Sequence, residues 1–395
     1  METLRKSIES ELLGNILPFW LKYGIDPVYG GFRGQVSNDL VINERADKGL
    51  ILNARILWTF AKVYSVYGEE QYLDAARRAY DYLAEHFRDK EFDGVYWMLD
   101  CEGKPSDDKK RIYGQAFTIY ALAEYYKVTH DEGALEFAIK LFHAVEQHSH
   151  DAARGGYGET YDRDWKPSAN QQLSEVDMDT KRSMNTHLHV MEAYATLLTV
   201  WPDVTLRARL AELIQIFLKR IVNPANHHML MFFDDDWKPQ SKNISFGHDI
   251  EASWLLVEAA EILGDKKILA RVKEESVKMA AAVLDEAIDP DGGLLYESDG
   301  TTIHDTGKEW WPQAEALVGF LNAYQLSGNK RFLDAAQKSW EFIDTHIVDH
   351  VNGEWFWKVT REGVVSNEKF KLDAWKCPYH NSRACMEAMA RLAKF

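Results

Sequence analysis

From Gln115 to Tyr126 the chain reads QAFTIYALAEYY, apolar nearly all round, as a helix enclosed on every side must be. The stretch that follows, Glu132 to Glu146, puts Leu135, Ile139, Phe142 and Val145 on one stripe and Glu136, Lys140 and Glu146 elsewhere. The first is an inner helix and the second an outer one. The alternation repeats through Ala54 to Tyr67 then Gln71 to Phe87, His187 to Trp201 then Leu206 to Ile221, Ile250 to Leu263 then Lys267 to Ala287, and Gln313 to Leu326 then Arg331 to Ile347. Gly68, Trp201-Pro202-Asp203, Gly264-Asp265 and Ser327-Gly328-Asn329 supply the turns between partners.

Two helices stand unpaired. An inner helix from His380 to Phe395 has no outer helix after it, and an amphipathic helix from Leu4 to Tyr23 has no inner helix before it. Each end supplies what the other lacks, so the pattern predicts an all-α fold, a closed (α/α)6 toroid of six inner and six outer helices forming one domain over residues 1–395. Between the pairs lie strand-like, aromatic segments at Val28 to Arg33, Gly94 to Met98, Gly155 to Glu159, Met229 to Phe233, Gly292 to Tyr296 and Glu354 to Trp357, with Gly, Asp and Asn at their flanks. These predict short β-hairpins walling one mouth of the ring.

The bulk numbers narrow the function. Lys and Arg number 46 against 62 Asp and Glu, a net charge of -16 that repels nucleic acid and anionic membrane surfaces. The start METLRKSIES enters an amphipathic helix without a signal-type apolar run, and no uninterrupted membrane-spanning stretch follows. A soluble cytoplasmic protein, and a monomer, is the expectation. The 3 cysteines, Cys101, Cys377 and Cys385, form neither a disulfide framework nor a zinc knuckle. With 13 Trp, 18 Tyr and 18 Phe the chain has aromatic faces to spare for stacking on sugar C–H bonds.

The polar residues that interrupt the core pattern gather at the inner-helix starts: LNARILW from Leu52, GQAFTIYAL from Gly114, NTHLHVMEAY from Asn185, GHDIEASWLL from Gly247, WPQAEALVGF from Trp311 and PYHNSRACMEAM from Pro378. A closed ring brings Arg55, His187, His248, Glu251, Glu315, His380 and Arg383 to one mouth. His187, His248 and His380 hold equivalent places in three units. A helix N-terminus disfavours the imidazolium, which keeps each ring neutral and able to accept a proton near pH 7. His189 lies about 200° around the helix from His187, so the two cannot share a metal ion. No HExxH motif and no cysteine cluster is present, and no phosphate-binding glycine loop appears. Glu251 and Glu315 are either structural partners of Arg55 or Arg383, or the paired carboxylates of an inverting glycosidase. Trp311 and Trp375 flank the mouth as core aromatics or as sugar platforms. A non-catalytic helical-repeat module would not need three histidines at one mouth.

The blocks Asn53-Ala54-Arg55-Ile56-Leu57-Trp58, Met184-Asn185-Thr186-His187-Leu188-His189, Gly247-His248-Asp249-Ile250-Glu251-Ala252-Ser253-Trp254, Trp310-Trp311-Pro312-Gln313-Ala314-Glu315 and Trp375-Lys376-Cys377-Pro378-Tyr379-His380-Asn381 carry a resemblance. In this order, over nearly the whole chain, they resemble the N-acylglucosamine 2-epimerase superfamily. The resemblance implies an (α/α)6 barrel and epimerisation at C2 of a reducing-end sugar, with a cellobiose- or lactose-type disaccharide as the small-molecule partner and neither cofactor nor metal. It implies catalytic roles for Arg55, His187, His248, Glu251 and His380, and sugar contacts for Tyr113, Asn185, Trp254, Trp311, Glu315 and Trp375. In the chemistry this suggests, His248 and His380 are the acid/base pair and Glu251 fixes the tautomer of His248. His187 with Arg55 polarises O1, and Glu315 binds sugar hydroxyls or an arginine. Relatives that are aldose–ketose isomerases, or that act on N-acetylated monosaccharides, share this enediolate chemistry.

Overall fold

The computed structural model describes residues 1–394, and twelve helices run through them in chain order. The outer helices are α1 (residues 2–24), α3 (70–87), α5 (Glu132–His148), α7 (204–221), α9 (Lys266–Glu286) and α11 (330–347). The inner helices are α2 (Leu50–Tyr67), α4 (Ile112–Thr129), α6 (Met184–Leu198), α8 (Phe246–Leu263), α10 (Trp310–Ser327) and α12 (Tyr379–Leu392). Phe395, the expected end of the sixth inner helix, lies outside the described residues. Every residue of α4 from Ile112 to Tyr125 is buried, as an enclosed helix requires.

Turn chemistry sets the boundaries. Gly68, Gly264 and Gly328 end α2, α8 and α10 in the left-handed conformation, with φ of 70°, 77° and 69°. Asp265 and Asn329 follow at once and cap the outer helices by accepting backbone N–H bonds. The inner helices begin a turn earlier than their apolar periodicity suggests, at Leu50, Met184 and Trp310 rather than Ala54, His187 and Gln313. A two-residue strand fixes each entry from outside the helix, and periodicity is blind to it.

Those entry strands make the wall of the mouth, and they pair with the next unit along the ring. Lys48–Gly49 pairs antiparallel with Met98–Leu99, Lys110–Arg111 with Thr160–Tyr161, Arg182–Ser183 with Phe232–Phe233, Ile244–Ser245 with Glu297–Ser298, and Lys308–Glu309 with Lys358–Val359. A bridge between Val36 and Leu372 joins the last unit to the first. In four of these strands a buried cation two residues before the inner helix reaches an aspartate in the adjoining hairpin: Lys48 to Asp26 at 2.7 Å, Lys110 to Asp89 at 2.8 Å, Arg182 to Asp151 at 2.6 Å and Lys308 to Asp291 at 2.6 Å. Lys371 does the same for Asp349 at 2.6 Å. Only the entry to α8 departs. Ile244 stands where the cation would be, and His228 from the neighbouring hairpin binds Asp249 of α8 at 2.7 Å.

The two ends of the ring meet as α1 packs against α12. The Trp20 indole N–H donates to Glu354 Oε2 at 3.0 Å, while Asn381 Nδ2 and Lys376 Nζ donate to Oε1 of the same carboxylate. The Trp355 indole donates to Glu11 at 2.8 Å. Both Glu354 and Lys376 are fully buried. Glu354→Gln keeps the shape and removes the charge, leaving Lys376 uncompensated. A loss of about 3–5 kcal/mol in unfolding free energy is expected, read by urea denaturation; an unchanged midpoint would show that closure does not depend on this pair.

Candidate active site

Arg383, one turn into α12, organises the floor of the mouth. Its Nη2 donates to Glu251 Oε1 at 2.5 Å and to Glu315 Oε1 at 2.8 Å, and its Nη1 donates to Glu192 and Tyr379. Tyr379 donates in turn to Glu192 at 2.7 Å. Glu251 comes from α8, Glu315 from α10 and Glu192 from α6, so one guanidinium ties four inner helices together. The fork geometry of arginine makes this possible where a lysine could not.

Two imidazoles stand above this floor. His380 Nδ1 lies 2.7 Å from Glu315 Oε1; a carboxylate only accepts, so Nδ1 carries the hydrogen and Nε2 the free lone pair. Glu315 is held from its other side by the Trp254 indole N–H at 3.0 Å. His248 Nδ1 lies 2.7 Å from the hydroxyl of Ser245. The Trp311 ring packs against both histidines, 4.7 Å from His248 and 5.6 Å from His380 between centroids. Gly247 makes room for it, since a Cβ there would stand 2.6 Å from the indole.

Arg55 enters from α2. It donates to the Tyr113 hydroxyl at 2.8 Å and lies over Phe117 at 4.3 Å and Tyr379 at 5.1 Å, while its buried Nε finds no partner among the described residues. Trp375 is half-buried beside Tyr113 and Trp97, at 6.1 and 5.6 Å. Asn185 is half-buried too, its carboxamide oxygen unpaired among the described residues, on a small recess with Glu159, Gln171 and Phe232. Trp254 is buried to 2% exposure under Arg383, so it braces Glu315 from below and does not present a face to the mouth.

His187 does not join this group. Its Nδ1 donates to the Ser183 carbonyl at 2.7 Å and its Nε2 accepts from the Tyr157 N–H at 3.0 Å, leaving neither nitrogen free. Gly156 packs so close that a Cβ would stand 2.6 Å from Nε2. The ring is a fully buried splice between α6 and its hairpin, and burial pushes it down to about 4. Its neighbour in sequence, His189, faces the mouth instead, 5.1 Å from the Tyr113 ring, with Nδ1 2.8 Å from Glu192. Glu251 also differs from expectation, for its Oε1 binds Arg383 and lies 3.9 Å from His380 Nδ1, while Ser245 takes the nitrogen of His248 it was expected to orient.

Three carboxylates share one guanidinium, and the electrostatics follow. Burial, and then the charge of Glu315, push Glu251 up to about 8, so it keeps its proton at neutral pH. Its second oxygen, Oε2, is buried without a partner among the described residues. The imidazoles move the other way. Burial and then the positive neighbourhood of His189 and Arg55 hold His248 down to about 3. Burial, Arg55 and Arg383 hold His380 well below the ordinary histidine value. Glu251, Glu315 and His380 are also the one His/carboxylate group among the described residues with metal-like spacing. Arg383 Nη2 already bridges its two carboxylates, so the cationic position there is taken by the protein.

Sequence reasoning missed His189, Glu192, Tyr379 and Ser245. One signal was available: His189 and Glu192 are three apart on a helix that otherwise tolerates no charge, a spacing that pairs them on one face.

Among known proteins, the sequence profile of the N-acylglucosamine 2-epimerase (GlcNAc 2-epimerase) family matches residues 30–384. The chain is 44% identical to the cellobiose 2-epimerase of Bacteroides fragilis over 98% of its own length and 99% of that protein. It is 40% identical to the cellobiose 2-epimerase of Dictyoglomus turgidum over 99% of this chain and 100% of that one. The solved structure of cellobiose 2-epimerase from Bacillus thermoamylovorans superposes with a TM-score of 0.95 at 38% identity, covering 99% of this chain and 100% of that chain. Fold, motif order and full-length identity agree, and the chain belongs to the N-acylglucosamine 2-epimerase family.

Proposed function

We propose that the protein is a sugar 2-epimerase that converts the reducing-end glucose of a cellobiose- or lactose-type β-1,4-disaccharide to mannose. The observation that carries the chemistry is the pair of imidazoles on α8 and α12. Each has Nδ1 hydrogen-bonded and its other nitrogen without a partner among the described residues, and both pack against Trp311. Full-length relatives that are cellobiose 2-epimerases support the substrate class.

An unactivated sugar carbon gives up its proton only when C1 is an aldehyde, so the ring opens first. One imidazole takes the O1 proton while Glu251, neutral at pH 7, protonates O5. The other imidazole then removes the C2 proton, and Arg55 with His189 stabilises the enediolate oxygen. The first imidazole, now charged, returns its proton to the opposite face of C2. Ring closure gives the O5 proton back to Glu251 and the remaining imidazolium proton to O1. Both histidines and Glu251 end as they began, so no external acid or base is consumed. Trp311 and Trp375 offer faces for the sugar rings, and Asn185 and Tyr113 offer polar contacts.

The test is incubation with cellobiose in D₂O, followed by NMR. The 2-epimer should appear with deuterium at C2. A ketose labelled at C1 would mean aldose–ketose isomerisation, and free monosaccharide with intact C2–H would mean the paired carboxylates act at the anomeric carbon.

The electrostatics predict the pH profile of kcat/KM, which reports the free enzyme. Both catalytic imidazoles are depressed and so stay neutral as pH falls, which places the acid limb below the ordinary histidine value of about 6.5. Glu251 is raised and loses its proton near pH 8, which places the alkaline limb there. Glu251→Gln stays neutral at every pH but cannot give O5 a proton, so kcat/KM should fall at all pH values and the residual activity should lack that limb; a limb that persists in this variant would assign it to another group.

A further inference from the structure

Ser245 occupies the N-cap position of α8, where a serine ordinarily accepts a backbone N–H from the first turn. The equivalent Ser183 of α6 does so, taking the Thr186 N–H at 3.1 Å. Ser245 caps no N–H of its helix among the described residues; its hydroxyl, 4% exposed as a residue, turns to His248 Nδ1 at 2.7 Å. The fold gives up a cap to hold an imidazole. The contrast with His380 is chemical. A carboxylate holds that ring and favours its charged form, whereas a hydroxyl accepts from Nδ1–H or donates to a bare Nδ1 and adds no charge.

We propose that Ser245 is a positioning residue for the epimerisation: it aims His248 Nε2 at the sugar and follows the ring through both protonation states without strengthening its hold on the proton. This rests on the acid/base role of His248 given above. A carboxylate at this position would favour the imidazolium and slow the return of the proton to carbon. The charged and titratable groups facing His248 are His189 on α6, Arg55 on α2 and Glu315 on α10. None of them bonds the ring; packed against Trp311, it has Ser245 as its one hydrogen-bond partner among the described residues.

The experiment compares Ser245→Ala, Ser245→Thr and Ser245→Asp for kcat, KM, the pH profile of kcat/KM and the thermal midpoint. Ala should lower kcat about 10–100-fold with little change in KM and should hold its thermal midpoint, because no cap is lost. Thr keeps the hydroxyl and should recover most of kcat. Asp should move the acid limb upward by about one pH unit or more, a shift a purely structural role would not produce. Wild-type kcat in Ala would overturn the inference, as would loss of activity in step with loss of the thermal transition, or an Asp profile with an unmoved limb. Wild-type enzyme that places no deuterium at C2 would instead overturn the epimerase reading beneath it.

Discussion

His380→Asn is expected to reduce kcat by about 10²–10⁴-fold or more while leaving the fold intact, and His248→Asn to do the same. Asparagine fills a similar space and hydrogen-bonds through its amide, but it cannot take a proton from carbon at neutral pH. In the His380 variant, Glu315 keeps Arg383 and Trp254 as partners, so the floor of the mouth stays tied. The two variants should differ in one respect. If each histidine serves one face of the sugar, a variant that lacks one can still exchange the C2 proton through the other without inverting the carbon. Deuterium entering the substrate without formation of the epimer would show this directly. Wild-type turnover in either variant would remove that residue from the mechanism.

The second large effect is expected at Arg383. Arg383→Met removes the arginine bonded to Glu192, Glu251 and Glu315 at the centre of the ring and leaves all three buried without it. Breaking a buried ionic group in this way costs about 3–5 kcal/mol; here Glu251 loses its hydrogen-bond partner, and Glu192 and Glu315 keep only His189, Tyr379, His380 and Trp254 as donors. Both a lower urea midpoint and loss of activity are expected, because His189 and His380 are aimed by Glu192 and Glu315. Arg383→Lys should fail to restore either, since an ammonium cannot present two parallel donors across four helices. A methionine variant with native stability and turnover would show that the carboxylates need no shared counter-ion.

How much of this was legible in the sequence depends on what each residue's neighbours are. The alternation of all-round apolar and striped helices carried the ring, because burial on every side is a property of the helix itself. The closing contact between α1 and α12 was legible for the same reason. What periodicity could not supply was the facing of an inner helix. His187 and His189 sit on opposite sides of α6, and a helix with no polar side gives no reference for which one looks into the mouth. The choice between them is made by Tyr157 and Ser183, which take both nitrogens of His187, and by Glu192, which takes one of His189. The partner of His248 was hidden for a related reason. Glu251 has the right spacing on the same helix, but Arg383, far along the chain, claims it. Ser245 lies the same three residues away on the other side and looks like an ordinary cap.

The seam between α1 and α12 also fixes an order of events during synthesis. Each unit from α2 to α11 can dock on its predecessor as it emerges, but Trp20 waits for Glu354, and α1 waits for α12, across more than three hundred residues of chain. Arg383 and His380 arrive with that same last strip. Until it docks, Glu192, Glu251 and Glu315 lack the guanidinium that ties them together, and one of the two imidazoles proposed to move the C2 proton is missing. On the mechanism proposed above, a nascent ring is therefore an inert cup, and competence for catalysis appears in the same step that seals the barrel.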